Sequence, residues 1–117
     1  MDVSMAIINL NSPNSDALQA FYRDVVQVPQ VPGTPRFAAG DAMFIIDSHS
    51  EVTGKAENPA RWLLNFKVDD LAGETQRLKD AGVPCIREMG RQEWGGVMST
   101  FVDPDGNYFQ LIDWADH

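Results

Sequence analysis

Laid over itself with a shift of 56 residues, the chain places Ile7-Ile8-Asn9-Leu10 on Leu63-Leu64-Asn65-Phe66 and Arg23-Asp24 on Lys79-Asp80. A shift of 66 places Gly40-Asp41-Ala42-Met43-Phe44-Ile45-Ile46-Asp47 on Gly106-Asn107-Tyr108-Phe109-Gln110-Leu111-Ile112-Asp113. The ten-residue difference reads as an insertion in the second copy, around residues 86–96. An internal repeat of this length requires one supersecondary unit used twice, and it narrows the fold more than any single motif does.

The elements inside each copy follow from pattern. Residues 5–10 form a short apolar run that reads as a buried strand, and Ser12-Pro13-Asn14-Ser15 is a turn cluster able to cap a helix. Leu18, Phe21, Tyr22, Val25 and Val26 then recur at helical spacing, so a helix is expected to about Val26, ended by Pro29 and Pro32-Gly33. Strands are expected at 36–39 and 42–47 with Gly40-Asp41 as the hairpin turn. The polar, aperiodic stretch from about 49 to 60 reads as a linker. The second copy opens with a strand at 62–68. A helix capped by Asp69-Asp70 follows, with Leu71, Leu78 and Ala81 as its apolar face and Ala81-Gly82 as its end. Strands at 85–88, 97–102 and 108–114 close it, with Gly95-Gly96 and Asp103-Pro104-Asp105-Gly106-Asn107 as turns. The order is strand, helix, then two or three strands, twice, which predicts an α+β fold in one domain spanning 1–117. Module one covers about 1–50 and module two about 61–117.

Composition excludes several functions. The net charge is −8 and the nine Lys and Arg residues are scattered, so the basic footprint needed to grip phosphates is missing and nucleic acid is not an expected partner. The start of the chain has no basic segment before an apolar stretch, and no run approaches a membrane span, so a cytoplasmic protein without membrane contact is expected. The single cysteine, Cys85, allows no internal disulfide and reads as a small buried apolar residue.

Three stretches resemble the glyoxalase/bleomycin-resistance/extradiol-dioxygenase (vicinal oxygen chelate) superfamily. They are Ala20-Phe21-Tyr22-Arg23-Asp24, Phe66-Lys67-Val68-Asp69-Asp70-Leu71 and Phe101-Val102-Asp103-Pro104-Asp105-Gly106-Asn107, with Glu93-Trp94-Gly95-Gly96 adding a fourth segment. The resemblance implies two βαβββ modules forming a cup-shaped mixed sheet with helices outside, and often a homodimer completing the cup. In that family metal ligands occupy four matched positions, usually as His, Glu or Gln. Carried over, those positions are Ile7, Phe44, Leu63 and Gln110. Three of the four cannot bind a metal, and a lone neutral Gln oxygen is too weak, so no metal and no other cofactor is expected.

Other chemistry finds little support. His49 sits in the linker and His117 at the end of the chain, where both read as solvated imidazoles. Asp47 and Asp113 are matched by the repeat, and alternation sets both opposite the cup-facing residues. No Ser-His-Asp or Cys-His arrangement and no phosphate-binding glycine loop is present. What remains is the lining: Ile7, Asn9, Phe44, Ile46, Leu63, Asn65, Tyr108, Gln110 and Ile112, with Trp94 over the mouth. Phe37 and Trp62 are further aromatic candidates that read at least as readily as core, Trp62 leaning that way by alternation. An apolar cup with a few amides and one phenol suits a small, partly aromatic organic molecule held without metal, as in members that neutralise an antibiotic by sequestering it. Gln110 is then expected to orient the ligand, and its loss to leave folding nearly intact. This reading leans away from an enzyme. Its alternatives are a metal-dependent lyase, isomerase or dioxygenase of the same superfamily, and a non-catalytic scaffold whose cup is filled by its own side chains.

Overall fold

A computed structural model describes residues 1–114 of the chain, which divides into two compact units, Met1–Gly54 and Lys55–His117. His117 therefore lies outside the described residues.

In the first unit β1 (Ile7–Asn11) leads through the turn at Ser12 into α1 (Ser15–Ala20), which passes into a π-helical turn over Phe21–Val26. Asn14 caps α1, its Oδ1 accepting from the Ala17 amide at 3.3 Å, while the buried Ser12 hydroxyl accepts from the Asn14 amide at 3.0 Å. Leu18, Tyr22 and Val26 are the buried residues of this helix, whereas Phe21 and Val25 are only half-buried. A π turn closes i→i+5 bonds and holds more residues than an α turn, so a spacing of four keeps one stripe inward and the expected wider stripe narrows. The helix ends before Pro29 because Gln27 turns left-handed at φ 71° and donates its amide to the Tyr22 carbonyl. β2 (Arg36–Ala39) and β3 (Ala42–Asp47) complete a three-stranded sheet in the order β1-β3-β2, with β1 parallel to β3 and β2 antiparallel to it.

The second unit contains β4 (Leu64–Lys67), α2 (Leu71–Asp80), β5 (Cys85–Arg91), β6 (Val97–Val102) and β7 (Tyr108–Asp113). Its sheet runs β4-β7-β6-β5, with β4 parallel to β7 and the remaining pairs antiparallel. Asp70 caps α2 as expected, its Oδ1 accepting from the Gly73 amide at 3.0 Å. Ala81 is exposed, so it does not extend the apolar face. Thr75 fills the place between Leu71 and Leu78, and its hydroxyl lies 2.9 Å from that of Ser99 on β6. The expected insertion corresponds to the distal part of β5, which breaks register twice against β6, and to the turn over residues 92–96.

The fold is α+β, and the two sheets share one plan. The second unit is a full βαβββ module. In the first, the strand after the helix shrinks to a single bridge between Gln30 and Phe37, flanked by bonds from the Val31 amide to the Arg36 carbonyl and from the Ala38 amide to the Pro29 carbonyl.

Register shows where the repeat is written. β1 pairs Ile8 with Phe44 and Leu10 with Ile46, while β4 pairs Leu64 with Phe109 and Phe66 with Leu111. The shift of 56 therefore holds for the first strands, but β3 superposes on β7 with a shift of 65, not 66, and β2 on β6 with a shift of 64. Phe44 corresponds to Phe109 and Phe37 to Phe101. In each unit these two rings are cross-strand partners and stack, at 5.1 Å in the first and 5.7 Å in the second. The duplicated feature is this stacked pair of phenylalanines in the core.

Candidate functional site

Alternation gives each sheet one face toward its helix and one away from it. In the first unit Phe44 and Ile46 face the helix. Phe44 is 2% exposed and meets the Tyr22 ring edge-on at 5.7 Å, and Ile46 is fully buried. This corrects the expectation that both line a binding surface, because the one-residue difference in repeat register exchanges the two faces of β3. Ile7 and Asn9 do lie on the far face, beside Met43 and Ile45. Phe37 is core, fully buried.

In the second unit Ser99, Phe101, Phe109 and Leu111 face α2. Asn65, Thr100, Gln110 and Ile112 occupy the far face with Met98, and Tyr108 and Leu63 continue it by alternation. Five of the expected site residues are thus brought together on one sheet: Leu63, Asn65, Tyr108, Gln110 and Ile112. Asp113 is buried, 3.4 Å from Lys67 Nζ, whereas Asp47 is exposed and lines a hollow with Ser15, Asp16 and Gln19 of α1.

Three groups organise this far face. At its centre the Thr100 hydroxyl donates to Gln110 Oε1 at 2.9 Å, and Gln110 Nε2 donates to Asn65 Oδ1 at 2.7 Å. Thr100 and Met98, both buried, were missed by sequence reasoning, which followed the hairpin and gave β6 no role. The available signal was their cross-strand pairing with Gln110 and Ile112. At one end, Trp94 from the β5–β6 turn meets Trp114 edge-on at 5.7 Å, and both rings stay about half exposed. The Trp94 ring lies where a Cβ on residue 96 would sit, so Gly96 is required for that placement. At the other end, Tyr108 lines a hollow of about 470 Å³ with Glu57, Asn58, Pro59, Ala60 and Arg61. From Tyr108 to Trp114 the strip is about 20 Å long. Trp62 is 78% exposed, which excludes a core role for it.

The family's metal does not fit these residues. Ile7, Leu63 and Gln110 stand at three inherited positions, and the corrected register puts Ile45 at the fourth instead of Phe44, with no ligating atom gained. Among the described residues no three His, Cys, Asp or Glu side chains cluster closely enough to hold a metal ion. His49 is an exposed loop residue whose Nδ1 accepts from the Glu51 amide. Burial, and then the Glu88 carboxylate, push the Cys85 thiol above its ordinary range, so it stays protonated at neutral pH.

The internal pairing of Gln110 reverses the stability expectation for it. At 8% exposure it is engaged at both ends, so Gln110→Ala should cost about 1–3 kcal/mol of folding free energy by stranding the Thr100 hydroxyl. Urea melts measure this directly, and a cost under about 0.5 kcal/mol would show that solvent replaces the amide.

Residues 4–111 match the family described as Glyoxalase/Bleomycin resistance protein/Dioxygenase superfamily. The chain is 32% identical over 114 residues to a bleomycin resistance protein of Klebsiella pneumoniae, covering 89% of this chain and 87% of that protein. Its fold is similar to that of a glyoxalase family protein from Bacillus anthracis, with TM-score 0.75, 16% identity, and 96% and 95% of the two chains covered. It is also similar to an antibiotic binding protein from Streptomyces sp. CB03234, with TM-score 0.71, 22% identity, and 95% and 96% covered. Among the described residues no helix is long and apolar enough to cross a membrane. With a family match over most of its length and the repeated strand-helix-sheet plan on which that family is built, this chain belongs to the glyoxalase/bleomycin resistance protein/dioxygenase superfamily.

Proposed function

We propose that the chain, acting as one cytoplasmic glyoxalase-like domain, binds a small, partly aromatic organic molecule without a metal and neutralises an antibiotic by sequestering it. The observation that carries this reading is the far face of the second sheet. Met98 and Ile112 give it an apolar floor, the amides of Gln110 and Asn65 a polar centre, and the Trp94–Trp114 pair an aromatic end. Such a mixture of apolar surface and a few placed polar groups is how small-molecule sites bury and orient a ligand. The bleomycin resistance relative and the antibiotic-binding neighbour support the antibiotic class. Burial alone neutralises such a ligand, so no group here is assigned to bond making or breaking.

Titration with bleomycin, read by the fluorescence of Trp94 and Trp114, should show saturable binding at micromolar or lower concentration. An excess of EDTA should leave that binding unchanged. No saturation up to millimolar bleomycin, or loss of binding on chelation, overturns the reading. The same preparation should sediment as a homodimer, because Ile7, Trp62, Trp94 and Trp114 leave large apolar surfaces in water that a second copy can cover. A monomer at micromolar concentration refutes that part alone.

A further inference from the structure

The hydrogen bonds at the centre of the far face run in one direction. Thr100 is 4% exposed, and its hydroxyl carries one proton. Among the described residues Gln110 is the partner of that hydroxyl. If Gln110 offered its amide N–H instead, the hydroxyl proton would be buried without an acceptor. An orphaned buried donor costs more than an unused lone pair. Thr100 must therefore donate, which turns the Gln110 oxygen toward it and the Gln110 N–H toward Asn65. Asn65 accepts that N–H through Oδ1, so its own NH2 points away from the relay, and Asn65 is exposed.

From this we infer that Thr100 is a positioning residue that makes the far face a hydrogen-bond donor, selecting ligands that place an uncharged acceptor, a carbonyl oxygen or an aromatic ring nitrogen, against the Asn65 amide. The inference rests on the ligand-binding reading of the same face. An uncharged acceptor is favoured over a carboxylate because the chain carries a net charge of −8 and repels anions. Without the threonine the Gln110–Asn65 amide pair could turn over and present an acceptor instead; the hydroxyl on the neighbouring strand removes that freedom.

The test uses two probes of one shape, quinoline with a ring nitrogen and naphthalene without, their affinities measured at pH 7.5 by chemical-shift titration of the full-length protein. The readout is the quinoline-to-naphthalene affinity ratio. Asn65→Asp, which swaps the donor for an acceptor, should lower that ratio about three- to ten-fold, the range of one net hydrogen bond. Thr100→Val, which keeps the shape and deletes the donor, should lower it in the same direction, and Thr100→Ser should restore it. In the unliganded protein, the Asn65 side-chain NH2 protons should exchange with water faster than those of Gln110. A purely structural role for Thr100 would change stability without moving the ratio. A ratio unchanged in Asn65→Asp, slow exchange at the Asn65 NH2, or binding of neither probe overturns the inference. Bleomycin that binds while the ratio stays flat removes the relay but leaves the binding function standing. Bleomycin that fails to bind while the probes still discriminate removes the antibiotic reading alone.

Discussion

Phe109→Ala is expected to remove about 3–5 kcal/mol of folding free energy, the cost of truncating a fully enclosed aromatic ring. The ring is completely buried, stacks on Phe101 at 5.7 Å across the β6–β7 ladder and meets Phe66 of β4 edge-on at 6.3 Å. It therefore joins three strands of the second sheet beneath α2. Its loss leaves a cavity that neighbouring side chains can fill only by shifting those strands, so the transfer term and the cavity term both apply. Single domains are stable by about 5–15 kcal/mol, so the variant should be close to the edge of folding. Urea denaturation followed by circular dichroism measures it. A change under about 1.5 kcal/mol would mean that the stacked pair is not the centre of this core.

Asp103→Ala should cost about 2–4 kcal/mol, for a different reason. Asp103 is 4% exposed, and its Oδ1 accepts from the Asp105 and Asn107 amides, both at 2.9 Å. Its Oδ2 accepts from Asn107 Nδ2 at 2.9 Å, and its backbone closes the turn with bonds to Asn107 and Gly106. Gly106 supplies the positive φ of 84° that the turn needs. Charge-assisted bonds of this kind are each worth more than neutral ones, and alanine would leave two partly buried amides without an acceptor. Asp103→Asn keeps one carbonyl acceptor and should lose less than half as much. Equal losses in the two variants would show that the charge carries the turn, and no loss in either would remove the turn as a stabilising element. The Ala56 amide and the Lys55 ammonium also bond to carbonyls in this turn, at Asp105 and Pro104. Thermal melts of Asp103→Ala should therefore report loosening of residues 55–61 at the hollow beside Tyr108. The Asp-Pro-Asp-Gly-Asn run, part of the third stretch in the family resemblance, is structural: it fixes the hairpin that carries Gln110 and holds the linker.

The helix caps were legible because capping is local. An Asn or Asp side chain reaches an amide three residues on whatever surrounds it, and Asn14 and Asp70 both do so. The hairpin turns were legible for the same reason, and the repeated order of strand, helix and strands was enough to give the α+β class. The four inherited positions offered no credible metal ligand set in either register, so that expectation did not depend on which face each residue takes.

Faces and partners were not legible. A strand of alternating bulky residues such as Met43-Phe44-Ile45-Ile46 is apolar on both sides, so its pattern does not say which side the helix covers, and a one-residue slip exchanges the two. Tertiary packing decided it, by stacking Phe44 on Phe37 and Phe109 on Phe101. The π turn in the first helix was equally hidden, because a stripe spaced by four reads as ordinary α-helix until the chain is closed by Gln27. Gln110 was picked out by sequence as the one polar residue among the inherited positions, but what it does depends on Thr100 and Asn65, ten and 45 residues away, brought beside it by β6 and β4. By itself the sequence determined the local elements, their duplication and the residue types available at the site. Only the tertiary structure decided which faces those residues share and which way the amides point, because register and hydrogen-bond direction are set by partners distant along the chain.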